Sequence, residues 1–143
     1  MTAPEQTAPE QTVPARFIAD FLTSFTEAVV RGGEDPEHAV DRFYTPDIVQ
    51  VSDGVRLDRD RLVAHIRPVR KNLADYRVEV HEALADGDRI AARLTMHARM
   101  RKGQVIATEV HMFAQFTPDG RLHRSHQVTR TLPTGPAQPE EAA

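Results

Sequence analysis

The sequence contains no cysteine. Disulfides, thiolate metal sites and cysteine nucleophiles are therefore excluded. It lacks any apolar run near the ~20 residues that a membrane-spanning helix requires. It also lacks a basic stripe: 18 Lys and Arg are interspersed with 21 Asp and Glu, for a net charge of -3. Such a distribution gives no nucleic-acid footprint. The N-terminus has neither the basic nor the apolar region of a secretory leader. The expected setting is the cytoplasm, with neither nucleic acid nor membrane as a partner.

What is present fits one domain. A chain of 143 residues supports a hydrophobic core without metals or cross-links. Thr-Ala-Pro-Glu-Gln occurs twice in succession, at 2–6 and 7–11. With Val13 and Pro14 next in the chain, residues 1–13 read as a disordered tail. Residues 134–143, rich in Pro, Ala and Glu, read as a second one. The folded domain is then 14–133.

Apolar spacing divides that domain in two. Phe17, Phe21, Phe25 and Val29 recur every fourth residue, which predicts a helix from about Ala15 to Arg31, ended by Gly32-Gly33. Asp35-Pro36 is a helix start, and the short helix it opens carries Ala39, Val40 and Phe43 and ends at Tyr44 and Pro46. Ile48 to Val51 reads as a short strand, with a turn after it at Ser52-Asp53-Gly54. Asp58 caps a third helix whose face holds Leu62, Ile66, Val69 and Leu73. Pro68 within it should kink or shorten it. After Ala74 the period changes to two. Strands are predicted at 76–84, 89–100, 105–116 and 121–132, joined by short Gly-containing turns, as an antiparallel meander.

Alternation then assigns faces. One face carries Val78, Val80, Glu82, Ala92, Leu94, Met96, Val110 and Met112. On the final strand it carries Leu122, Arg124, His126, Val128 and Arg130. This face should meet the helices and form an apolar pocket. Methionines there adapt to irregular contents. Counting back from the turns sets His126 beside Met112, Ala92 and Glu82. Imidazole titrates near neutral pH, so His126 is the candidate acid or base, with Arg130 as its electrostatic partner. Arg124 is read as a rim residue. Tyr44, Glu82, Ala92, Leu94, Met96, Val110 and Met112 are the candidate substrate contacts, and His65 is a weaker one at the edge of the third helix. His81, His97, His111 and His123 fall on the other face. Arginine intervenes between His81 and His111, so no metal site is expected, and no cofactor is called for. The outer face is less charged than a solvent face and is expected to form a homodimer.

The Phe43-Tyr44-Thr45-Pro46-Asp47 segment leads into a strand, a helix and a long meander. In that order it resembles the nuclear transport factor 2-like superfamily. Phe116-Thr117-Pro118-Asp119-Gly120-Arg121-Leu122 resembles the F-x-D-G-K-I signature of its SnoaL-like, polyketide cyclase-like branch. The resemblance spans roughly 15–132. It implies an α+β fold: a cone-shaped, strongly curved antiparallel sheet covered by N-terminal helices and enclosing a pocket. It also implies a small-molecule cyclase or isomerase of secondary metabolism, or a non-catalytic binding module of the same fold. The chain departs from its relatives at His126 to Arg130, where SnoaL-like cyclases carry an acid. It departs again at Leu94 and Met96, where epoxide hydrolases of this fold carry polar catalytic groups. No Tyr/Asp pair of the ketosteroid isomerase type is found either. General acid/base catalysis and shape-templated cyclisation both remain open for an apolar substrate.

Overall fold

The computed structural model describes residues 12–133. The expected tails lie outside the described residues, except for Thr12 and Val13. Those two begin the first helix instead: α1 spans Val13–Val30, and the Thr12 hydroxyl accepts from the Ala15 N–H at 3.4 Å. Proline at the second helical position costs no hydrogen bond there. Helix α2 (Pro36–Phe43) opens as expected, with the Asp35 carboxylate accepting from the His38 N–H at 3.2 Å.

The chain passes from α2 straight into β1 (Tyr44–Ser52) without a loop. Aromatic packing holds that junction. Phe21 and Phe25 of α1 meet Phe43 and Tyr44 edge to face, with centroids 5.2–5.8 Å apart. Asp53 and Gly54 both have positive φ, 51° and 83°, and turn the chain into β2 (Val55–Leu57). Aspartate tolerates this region better than most side chains. Its carboxylate also accepts from the Thr129 N–H at 2.7 Å.

Asp58 caps α3 (Arg59–Asn72), accepting from the Arg61 N–H at 3.0 Å. Of the two expected effects, Pro68 does not shorten this helix: α3 continues for another turn. The hydrogen bond that proline forfeits is offset by Ile66 and Val69 in the core and by Arg70, whose guanidinium donates to the Val29 carbonyl at 2.7 Å.

Strands β3 (Leu73–Asp86), β4 (Arg89–Met100), β5 (Val105–Phe116) and β6 (Leu122–Leu132) form the antiparallel meander. The sheet order is β2-β1-β6-β5-β4-β3, with β1 parallel to β6. The fold is α+β, a curved and mostly antiparallel sheet with helices packed on one face. Among the described residues no helix is long and apolar enough to cross a membrane.

Two irregularities decide which side chains face the helices. In β3, Val80 pairs with Leu94 and Glu82 with Arg93, so His81 is an extra residue. In β6, Leu122 pairs with Phe116 and Arg124 with Gln115, so His123 is another. Each bulge bends the sheet and moves the side chains beyond it to the opposite face.

Candidate functional site

Helices α1 and α3 and the concave face of the sheet enclose a cavity of about 800 Å³. Its apolar wall comes from residues the helical period places inward, Phe21, Phe25, Leu62 and Val69, and from Met96 and Met112 on the sheet. Two phenols join it. Tyr44 is buried, and that burial, with the neighbouring Tyr76 phenol, drives its pKa well above the usual tyrosine range. Burial also raises Tyr76, partly offset by a hydrogen bond to Thr26. Both phenols therefore stay protonated at neutral pH, but the Tyr76 O–H is engaged by Thr26, whose own proton goes to the Leu22 carbonyl at 2.9 Å.

One end of the cavity is polar. Gln50 and Ser52 of β1 line it together with Gln127 of β6. Gln50 lies beside Ser125 and Ser52 beside Gln127 in the parallel register. The Gln127 amide donates to the Ser52 hydroxyl at 3.1 Å. Arg61 and His65 of α3 complete this end. No described lining residue is an aspartate or glutamate.

Of the expected contacts, Tyr44, Met96 and Met112 line this cavity. Leu94 and Val110, 0% and 1% exposed, are sealed in the core instead. Ala92 pairs with Met112, as expected, but also with Ala83, and it borders a different depression.

The main correction concerns His126, Arg130 and Glu82. The extra residue at His123 puts His126 opposite Phe113, Val128 opposite His111 and Arg130 opposite Glu109, all on the outer face. Ser125, Gln127 and Thr129 take the inward places. Arg124 turns outward too and donates to the Asp47 carbonyl at 2.8 Å. The bulge at His81 does the same to Glu82. Glu82 joins Arg93 at 3.0 Å, Arg93 reaches Glu109 at 3.8 Å, and Glu109 pairs with Arg130 at 2.8 Å. Arg130 thereby holds the Glu109 carboxyl below its ordinary pKa.

The expected acid–base pair thus lies outside the cavity. His126 borders a shallower outer depression of about 470 Å³, beside exposed Leu84, Phe113 and Val128. The outer histidines contact polar neighbours: His81 meets Thr95 at 2.7 Å and Glu79 at 4.0 Å, His97 meets Glu79 at 2.9 Å, His111 meets Glu109 at 3.7 Å, and His123 meets Thr45 at 3.3 Å and Asp47 at 3.4 Å. Among the described residues no group of three or more His, Asp or Glu is placed to hold a metal ion.

Gln50, Ser52, Arg61 and Gln127 are not anticipated by the sequence reading; Tyr76 falls on the inward face that strand alternation assigns, though not among the expected contacts. A signal for Gln127 was present. Arg124, His126 and Arg130 on an otherwise apolar face marked a slipped register, because ionisable groups there are costly.

Residues 16–125 match the family model of the SnoaL-like domain. An uncharacterised protein of Schizosaccharomyces pombe is 30% identical over 98 residues, 68% of this chain and 75% of that one. Solved structures with a similar fold include a proposed SnoaL-like polyketide cyclase of Shewanella denitrificans (TM-score 0.60, 12% identity, 78% of this chain and 88% of that one). Another is a proposed isomerase of Rhodopseudomonas palustris (0.63, 13%, 79% and 88%). A third is a proposed hydroxylase of Streptomyces galilaeus (0.59, 21%, 81% and 90%). At these identities the likeness speaks for the fold, and the domain match supplies the family: the chain belongs to the SnoaL-like family, within the nuclear transport factor 2-like superfamily.

Proposed function

We propose that this protein is a small-molecule cyclase or isomerase acting on an apolar, polyketide-like substrate in the interior cavity. The observation that carries the reading is the cavity itself: large, apolar for most of its wall, with a few polar groups at one end. That is the usual form of a small-molecule site. The proposed activities of the cyclase and isomerase of similar fold point the same way.

In this reading Tyr44 donates a hydrogen bond to an oxygen that gains charge as the substrate enolises or cyclises. His65 carries the one imidazole on the described cavity wall, and imidazole is the side chain suited to proton transfer near neutral pH. The lack of a carboxylate on that wall favours a mechanism in which shape does much of the work. The curved pocket folds a reactive chain toward its near-attack geometry, and His65 moves the proton. His126 and Arg130 have no part in it.

The test is turnover of a panel of aromatic poly-β-ketones, with ring formation monitored by mass spectrometry and chromatography. A His65→Gln variant should lose about 10²–10⁴ in rate if proton transfer limits the reaction. A filling variant, Leu62→Trp, should lose more than His65→Gln if shape dominates. Wild-type turnover in both variants would overturn the assignment of the cavity as the site.

The outer face is proposed as the surface on which two copies meet. Leu84, Phe113 and Val128 are 75%, 70% and 54% exposed there, and the ion pairs beside them would form the polar part of such an interface. Sedimentation should give a dimer at tens of micromolar and a monomer for Phe113→Asp. A wild-type monomer at that concentration would contradict it.

A further inference from the structure

We propose that the ligand of the cavity is an amphipathic anion: an apolar, ring-bearing body among the aromatic and methionine side chains, and a carboxylate head held at the α3 rim by Arg61. This rests on the reading of the cavity as the binding site and adds the chemical class of what it takes.

The charge of the wall runs against that of the chain. Acids outnumber bases overall, 21 to 18, yet the described cavity wall carries Arg61 and His65 and no acid. The two are four residues apart on α3 and so share one helix face.

Arg61, exposed at the rim of the cavity, is free to bind: Arg59, Arg93, Arg121 and Arg130 are paired with acids, whereas Arg61, like Arg56, Arg67, Arg89 and Arg101, is not paired among the described residues. The side chain of Arg61 has no hydrogen bond or ion pair among the described residues. Only its backbone N–H is used, by Asp58. The acids near it in the chain have contacts of their own. Asp58 caps the helix, Asp60 lies 3.8 Å from Arg59, and Asp53 binds Thr129. A guanidinium with all five donors free matches the two oxygens of a carboxylate.

The wall that shares this polar end offers further donors. The Gln127 amide already donates to Ser52, so the Ser52 hydroxyl keeps its own proton for another acceptor. Gln50 brings a further amide. These neutral donors, with Arg61, suit an acceptor-only head. The apolar wall opposite has no need of charge.

The experiment compares 2-naphthoate with 2-naphthamide, which share a ring body and differ in the charge of the head. The chain has two tyrosines and no tryptophan, and both tyrosines line the cavity. Quenching of tyrosine emission therefore reports occupancy of this site. Naphthoate should bind at least tenfold more tightly than naphthamide, equivalent to about 1.4 kcal/mol. Arg61→Gln should abolish that preference and leave naphthamide affinity unchanged. The variant keeps the backbone N–H that Asp58 caps, and an unchanged melting temperature would establish that it is folded. Equal affinities in the wild type, or a preference that survives Arg61→Gln, would overturn the anionic head and leave the cavity reading standing. Failure of both probes to quench would overturn the cavity reading, and this proposal with it.

Discussion

Val110 and Met96 belong to the same sheet face, yet they should respond oppositely to enlargement. Val110 is 1% exposed and does not reach the cavity, whereas Met96 is partly buried and lines it. Val110→Phe must fit a ring where no space exists, and overpacking of this kind costs about 1–3 kcal/mol. For a domain of this size each kcal/mol lowers the melting temperature by roughly 3–5 °C, so the expected loss is about 3–15 °C. Met96→Phe expands into open volume, and its melting temperature should move by no more than about 1 kcal/mol equivalent. Its cost should appear in binding, through weaker uptake of bicyclic probes. Calorimetric melting with and without 2-naphthamide measures both effects. If Met96→Phe is as destabilising as Val110→Phe, or if Val110→Phe is neutral, the cavity is not where this structure places it.

Two further outcomes concern the ionisable groups. Both tyrosines have pKa values raised chiefly by burial, so the native protein should show little phenolate absorbance at about pH 10, where free tyrosine is half ionised. The signal should appear on unfolding in urea, and a normal native titration would contradict the buried phenols. Asp53, held low by Thr129 hydrogen bonds, Glu109, held low by Arg130, and Asp41, held low by Arg59, set the acid limb of stability. Their folded values lie below the unfolded ones, so their contribution is complete above about pH 4 and is lost as pH falls through the folded values. The urea midpoint should fall as the pH is taken below about 4, and a flat profile there would show that these contacts do not contribute.

The meander and the helix starts were legible because each has a local chemical cause. Period-two alternation in 89–100 and 105–116 fixed β4 and β5 to the residue, and Asp35-Pro36 and Asp58 cap their helices through side-chain oxygens. The resemblance carried by Phe116 to Leu122 led to the right family. The site was less legible because a bulge adds a residue without changing composition. His81 and His123 look like ordinary strand residues, yet each reverses the parity of the strand beyond it. That reversal exchanged His126 for Gln127 on the cavity wall. β2 is three residues long, too short for alternation to show. Gln50 and Ser52 were inconspicuous because neutral side chains on a strand carry no cost that would draw attention to them.

Methyl NMR on the protein with 2-naphthamide tests the central claim most directly, that the interior cavity is the small-molecule site. Shifts and ring-proton contacts are expected at the Met96 methyl and at the Leu62 methyls, which line the cavity, and none at Leu84 or Val128 on the outer face. Contacts confined to Leu84 and Val128, with Met96 unmoved, would contradict it.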